Sequence, residues 1–187
     1  MDSNLNIKQS EKSKIIASSH NVFNIELVKN IDQNDINSII DISKDLEKIY
    51  GPNSLLTKNN ISRYFNDKTL PFIARYKNQI IGFIIGVPLE YFKNQAWGQY
   101  DHNMNKNNTL YTYAFIFKKE FRGRNGFAKT LKKIYTSWAK KRSFSYISGH
   151  ISKNIIQKSN QKNVEIIKKF DAWYDAKEPF VYYRKKI

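Results

Sequence analysis

The stretch that most restricts what this chain can become runs from Thr109 to Trp138. In it, three different patterns follow one another without a linker. Thr109 to Phe117 sets Tyr111, Tyr113, Phe115 and Phe117 on one face and Leu110, Thr112, Ala114 and Ile116 on the other. A strand that is largely apolar on both faces belongs in the middle of a covered sheet. A loop with Gly123 and Gly126 comes next. Leu131, Ile134, Tyr135 and Trp138 then recur at i, i+3, i+4 and i+7, the stripe of an amphipathic helix, while Lys129, Lys132, Lys133, Lys140 and Lys141 fill its other side. A buried strand feeding a basic helix through a glycine turn calls for a layered sheet-and-helix domain.

The rest of the chain reads as the same kind of domain. Residues 22–28 alternate as a strand, and Asp32 can cap a helix that runs to about Tyr50 with Ile36, Ile39, Ile40 and Leu46 on one face. A short helix is expected from Lys58 to Phe65. Pro71 to Tyr76, the turn Lys77-Asn78 and Gln79 to Val87 form the clearest hairpin. Gly82 and Gly86 inside its second strand signal a bulge or a close backbone approach. Residues 90–108 form a long polar loop. Phe144 to Ile151 reads as a strand, Asn160 to Phe170 as a helix, and the end from Trp173, with Pro179 to Tyr183, as a last hairpin strand. Residues 1–20 lack a period and are expected to be a mobile tail, leaving 21–187 as one α/β (α+β) domain.

Charge and composition limit the function classes. Lys and Arg total 32 against 16 Asp and Glu. Residues 1–100 hold 12 basic and 10 acidic side chains, whereas 101–187 hold 20 and 6. A basic half suits an anionic partner such as a phosphate-bearing cofactor or nucleic acid. The same Lys, Asn, Ile, Tyr and Phe excess also follows from AT-rich codons, and 26 Lys against 6 Arg does not suit base readout by bidentate contacts. Cysteine is absent, so disulfides, thiolate metal sites and Cys nucleophiles are excluded. Met1 to Ser10 has no apolar core of the signal-peptide kind, and no apolar run approaches membrane-spanning length. A cytoplasmic location without membrane contact is the resulting expectation.

The glycine turn carries the chemistry. The first turn of a helix has unpaired N–H groups and a partial positive charge, and glycine lets a ligand approach the main chain. Arg122, Gly123, Arg124, Asn125, Gly126, Phe127, Ala128 and Lys129 therefore read as an anion cradle for a phosphate. The segment is neither a Walker loop nor a three-glycine dinucleotide fingerprint.

On these residues the chain resembles the GCN5-related N-acetyltransferases. Gly126-Phe127-Ala128 matches the second half of their Arg/Gln-x-x-Gly-x-Gly/Ala signature, and the helix from Lys129 follows it. The hairpin Phe72 to Phe83 has the family's "ile-val-Gly-phe" second strand, and Asn160 to Phe170 is similar to its Asn-containing helix. Asn125 makes the loop one residue longer than usual. The resemblance implies one domain with a mixed, mostly antiparallel sheet, splayed in the middle and flanked by about four helices. It implies acetyl-CoA as acyl donor, its pantetheine arm along Phe115, Ile116 and Phe117, its pyrophosphate on the cradle, and Asn160 as a further contact. A main-chain N–H near Ile116 or Phe117 would polarise the thioester.

The acceptor would be a primary amine. Tyr113 and His150 are the candidate proton-transfer residues, with Glu90 a third, and the helix Tyr of the family falls on Ile167 or Phe170. A basic protein disfavours a strongly cationic acceptor unless its cleft is acidic, which Asp101 and Glu90 would provide. A non-catalytic acyl-CoA-binding protein, a basic nucleic-acid module and a homodimer are the other expectations.

Overall fold

The computed structural model describes residues 12–20, 22–158, 163–176 and 178–187. Eight strands form one sheet: β1 (Ser13–Ser19), β2 (Phe23–Val28), β3 (Leu70–Tyr76), β4 (Gln79–Pro88), β5 (Thr109–Phe117), β6 (Tyr146–Ser152), β7 (Val164–Phe170) and β8 (Phe180–Lys186). Their order is β1-β2-β3-β4-β5-β6-β8-β7, and every neighbouring pair is antiparallel except β5–β6. Four helices accompany it: α1 (Gln33–Tyr50), α2 (Ile61–Tyr64), α3 (Phe127–Lys141) and α4 (Lys153–Lys158).

Local chemistry accounts for these elements. The Asp32 carboxylate accepts the Asn34 N–H at 2.9 Å and starts α1, and the Gly51 N–H bonds the Glu47 carbonyl to end it. Ile36, Ile39, Ile42 and Leu46 are its buried stripe. Lys77 and Asn78 both have positive φ, 48° and 65°, as a two-residue hairpin turn that follows the strand twist requires. Leu131 and Tyr135 anchor α3 and are fully buried. Truncating such a side chain costs on the order of 2–5 kcal/mol.

The sheet separates two layers of core. On one side, α3 packs over Phe23, Leu27, Phe72 and Ile84. On the other, α1 and α2 pack over Ile73, Phe83, Ile85 and Ile116. A third, aromatic cluster lies where β5, β6 and β8 meet and includes Trp97, Tyr111, Trp173 and Tyr182.

Two elements differ from the expectations. Residues 13–19, read as tail, form β1, an edge strand on β2; their Ile15 and Ile16 supply β-branched side chains, and pairing with β2 satisfies their backbone. The expected helix at Asn160 to Phe170 is instead strand β7 from Val164, paired with β8, and the helix after β6 is the short α4. Val164 and Ile166 share one face, a bulge at Ile167 then shifts the alternation, and the cross-strand ladder with β8 overrides a pattern that fits a helix as well. Asn160 lies outside the described residues.

Candidate active site

The site begins where β5 and β6 part. Their parallel pairing covers only Thr109 to Tyr111 against Tyr146 to Ser148. Beyond it the strands no longer pair, and β5 continues to Phe117 held by β4 alone.

Register shows which main-chain groups face this splay. Lys118 N–H donates to the Ile81 carbonyl at 2.8 Å, so the β4-facing amides alternate back through Ile116 and Ala114. The main chain of Phe115 and Phe117 therefore points away from β4, into the splay. This corrects the expectation for Ile116, whose amide belongs to the β4 ladder. A bulge opposite Ile85 and Gly86 leaves Tyr113 as the extra residue of β5. Gly86 is needed at that point, because a Cβ there would lie 2.8 Å from the Tyr135 ring and hydroxyl. The Phe115 side chain is 37% exposed, so β5 is open at that point and not covered on both faces.

The strand leads into the glycine turn and then α3. Gly123, Asn125 and Gly126 all have positive φ, 72°, 49° and 67°. Among the described hydrogen bonds, the N–H groups of Gly123, Arg124, Asn125 and Gly126 take no backbone acceptor. Those of Ala128 and Lys129 have none within α3, because they lie in its first turn. Left-handed residues in series turn successive amides toward one concavity, which together with the helix dipole favours an anion. No heavy atom lies within 4 Å of where a Cβ would stand at Gly123 or Gly126, so the concavity is open. Arg124 and Lys129 are exposed beside it, while Phe127 is buried under α3 with Phe23.

Arg122 is committed elsewhere. Its Nε donates to the Phe117 carbonyl at 2.8 Å and its Nη2 to Asp45 of α1 at 2.6 Å. It clips the end of β5 to α1, and the expectation that it joins Arg124 as a free phosphate ligand is corrected.

The closed end of the splay is aromatic. The His150 ring stacks on Trp173 with centroids 3.4 Å apart and on Tyr182 at 4.9 Å, and meets Trp97 edge-on at 4.9 Å. Its Nδ1 is 2.9 Å from the Tyr111 hydroxyl, and its Nε2 is buried without a hydrogen-bond partner among the described residues. Burial pulls the imidazole well below its usual pKa, so it is neutral near pH 7. Tyr113 stacks on Tyr64 of α2 at 4.0 Å, and burial, with a hydrogen bond to Tyr64, pushes its phenol far up. Tyr113 therefore stays protonated and is a weaker proton donor than an exposed tyrosine.

The other candidates lie apart. Asp101 is buried, accepts from Tyr182 at 2.6 Å and pairs with Arg184, so it lends no free charge to a cleft. Glu90 accepts the Asn107 N–H at 2.8 Å near the start of β5, the end opposite the cradle. Between β6 and β7, the asparagine in the first turn of the helix is Asn154, whose Nδ2 lies 3.3 Å from Glu178. Ile167 and Phe170 are on β7, not on a helix. Among the described residues, no three His, Asp or Glu side chains converge as a metal site would need, and no helix is long and apolar enough to cross a membrane.

No protein-family model and no curated protein sequence matches the chain. Solved structures do. A GCN5-related N-acetyltransferase from Kribbella flavida superposes with a TM-score of 0.65 over 90% of this chain and 100% of its own, at 12% identity. The ribosomal-protein-S18-alanine N-acetyltransferase of Escherichia coli gives 0.62 over 88% and 94%, at 11% identity. This chain has the GCN5-related N-acetyltransferase fold. A Bacillus anthracis protein described as a streptothricin acetyltransferase, solved with acetyl coenzyme A, shares the fold at 22% identity and a TM-score of 0.51, over 72% of this chain and 70% of its own. In this N-acetyltransferase fold, as in the sequence reading, the splay, the glycine turn and α3 follow one another directly.

The aromatic packing around His150 escaped the sequence reading, because Trp97, Trp173 and Tyr182 are scattered over 86 positions. The one local signal was the run 171–178, which holds three of the six acids of residues 101–187 beside Trp173 and Tyr174.

Proposed function

We propose that the protein transfers an acetyl group from acetyl-CoA to a primary amine. The observation that carries this reading is the unpaired edge of β5 leading into an open turn of free amides at the start of α3. These groups suit acetyl-CoA in kind: amide edges for a pantetheine arm, and converging N–H donors with Arg124 and Lys129 for a pyrophosphate. The neighbour solved with acetyl coenzyme A supports the choice of donor. When bound, acetyl-CoA supplies the acyl group, its C–S bond breaking as the acceptor's C–N bond forms.

The chain's own residues do the rest. The Phe115 and Phe117 amides face the splay and can donate to an oxygen that gains negative charge; removing one such donor costs roughly 3 kcal/mol of barrier in other enzymes. Arg122 holds the end of β5 in place through the Phe117 carbonyl. With Nδ1–H donating to Tyr111, the lone pair of His150 sits on Nε2, and it can take the proton that the amine loses once the Trp173 ring that covers it is displaced. Holding both reactants along one strand edge supplies much of the remaining acceleration.

The protein at about 100 times the dissociation constant of acetyl-CoA should gain roughly 2.7 kcal/mol of apparent stability. Gly126→Leu should keep its fold, because the new side chain enters open space, at a cost of about 1–2 kcal/mol for the left-handed backbone. It should lose the acetyl-CoA shift entirely. A full shift in that variant excludes the cradle.

A second reading has one observation in its favour. Residues 153–163, between β6 and β7, contain no tyrosine to protonate a departing thiolate, which suits a protein that binds acyl-CoA without turnover. Mass-spectrometric detection of acetylated amine separates the two readings.

A further inference from the structure

Helix α3 presents two opposite faces. Leu131, Tyr135 and Ala139 are buried against the sheet. The outer face carries Lys129, Lys132, Lys133, Lys140 and Lys141, all exposed, and the helix has no acidic residue. At about 100° per residue, Lys129, Lys132, Lys133 and Lys140 fall in one stripe roughly 100° wide and ~16 Å long. Lys129 meets Lys132 and Lys133 at i+3 and i+4, an arrangement that repels along a helix. Lys185 of β8 adds a cation beside the stripe: partial burial, and then the Lys185 charge, pull the Lys132 ammonium below its ordinary value. None of these lysines forms an ion pair among the described residues.

Helix α1 shows that this face is not a matter of composition. Its 18 residues hold four acids and two lysines, and both lysines are paired, Lys44 with Asp41 at 2.8 Å and Lys48 with Asp45 at 2.6 Å. A bias toward AT-rich codons acts on both helices alike, so it does not account for a row of lysines without an acid. Such a row gathers counterions that a polyanion displaces, and their release drives association.

The chemistry of the face selects among polyanions. Protein interfaces are depleted in lysine and anchored by aromatic side chains, and among the described residues no exposed large apolar side chain is on α3. A helix that lies in a membrane surface needs a free apolar face, and that of α3 is under the sheet. A single strand stacks its bases on exposed rings. Trp138 offers none: it is half-buried, edge-on to Phe72, and covered by the Lys141 ammonium at 5.1 Å. A duplex hides its base faces and shows its phosphates, and lysine meets phosphate as a point charge without reading sequence.

We infer that the lysine face of α3, with Lys185 at its side, is a docking surface for the phosphate backbone of a nucleic-acid duplex, bound without regard to sequence. The surface goes beyond the transferase reading and does not depend on it, sharing only Lys129 with the cradle.

The probes are short fluorescein-labelled DNA and RNA duplexes of the same arbitrary sequence, read by anisotropy with the full chain and no acetyl-CoA. Four lysine–phosphate contacts give a slope of log affinity against log salt of roughly −3.5. In the triple variant Lys132→Ala, Lys133→Ala, Lys140→Ala the slope should flatten by about 2.5, and binding at 0.1 M salt should weaken more than about tenfold. Alanine keeps the helix, so the melting temperature should not fall. A charge-matched variant, Lys58→Ala, Lys93→Ala, Lys106→Ala, removes three exposed cations away from α3 and should bind within about twofold of the native chain. An equal loss in the charge-matched variant overturns the inference, because net charge is then the cause. So does the absence of duplex binding at 0.1 M salt, or tighter binding of the single strand or of phosphatidylserine vesicles. Tighter binding of one duplex than of the other supports the surface and identifies which nucleic acid it takes. The anisotropy needs no acetyl-CoA, so its failure leaves the transferase reading standing, and a missing acetyl-CoA thermal shift leaves the docking result standing.

Discussion

At the mouth of the splay the chain presents main chain: the amides of Phe115 and Phe117, then the turn from Gly123 to Gly126, then the first turn of α3. At the closed end it presents side chains: His150 boxed by Trp97, Trp173 and Tyr182. The mouth comes from one continuous segment, and the closed end from four. A backbone site grips a group common to many donors, because amides at fixed spacing recognise a phosphate whatever side chains surround them. A side-chain site can be rebuilt residue by residue without disturbing the sheet. The two ends therefore differ in how readily substitution can change them: the mouth through its backbone path, the closed end one side chain at a time.

The sharpest way to break the comparison is Trp173→Ala. Trp173 is 7% exposed and touches His150, Trp97 and Phe170, so its loss should cost about 3–5 kcal/mol and lower the melting temperature by roughly 6–20 °C. The stabilisation added by acetyl-CoA should survive in what remains folded, the reverse of the result expected for Gly126→Leu. If Trp173→Ala also abolishes the acetyl-CoA shift, the two ends are one cooperative unit and the contrast fails.

The same contrast explains what was legible in the sequence. Strand β5, the glycine turn and α3 were readable because period, glycine and stripe lie within 33 consecutive residues. The hairpin β3–β4 was readable from Lys77-Asn78 and two alternating runs. Strand β7 was not: Val164 to Phe170 carries apolar residues at spacings that serve either a helix or a strand, and only the partner β8 decides. The role of Arg122 was hidden for a related reason. An arginine beside a glycine turn looks like a phosphate ligand until the fold brings Asp45, 77 positions away, within 2.6 Å. Asp101 misled in the same way, its charge cancelled by Arg184 from the far end of the chain.

A smaller effect probes the closed end by pH. Burial depresses the folded-state pKa of His150 below its ordinary value of 6.5. Between that depressed value and 6.5, the unfolded chain binds the proton and the folded chain does not. Stability owed to the neutral ring is complete above pH 6.5 and is lost as the pH falls, at up to about 1.4 kcal/mol per unit. Against His150→Phe, which keeps an aromatic ring in the box, the native chain should lose stability faster from pH 7 to pH 5. Parallel melting-temperature curves would mean that His150 is already solvated. No matching dependence is expected from the main-chain donors of the mouth, because amides do not titrate in this range.

The smallest effects sharpen the mouth itself by setting Arg122 against Arg124. Arg122 spans the Phe117 carbonyl and Asp45 with its side chain 45% exposed, so Arg122→Ala should cost only about 0.5–1 kcal/mol of stability. Its guanidinium already has two acceptors, so its removal should change acetyl-CoA affinity less than threefold. Arg124 is exposed and has no ion-pair partner among the described residues. Arg124→Ala should leave the melting temperature unchanged and weaken acetyl-CoA about fivefold, an effect that fades with added salt because the contact is an exposed charge on a phosphate. If the two variants exchange these behaviours, the clip has opened on binding and Arg122 has moved from the carbonyl to the diphosphate. The mouth would then be a site of side chains as well, and what separates the two ends would be their distance along the chain, not the chemistry of their donors.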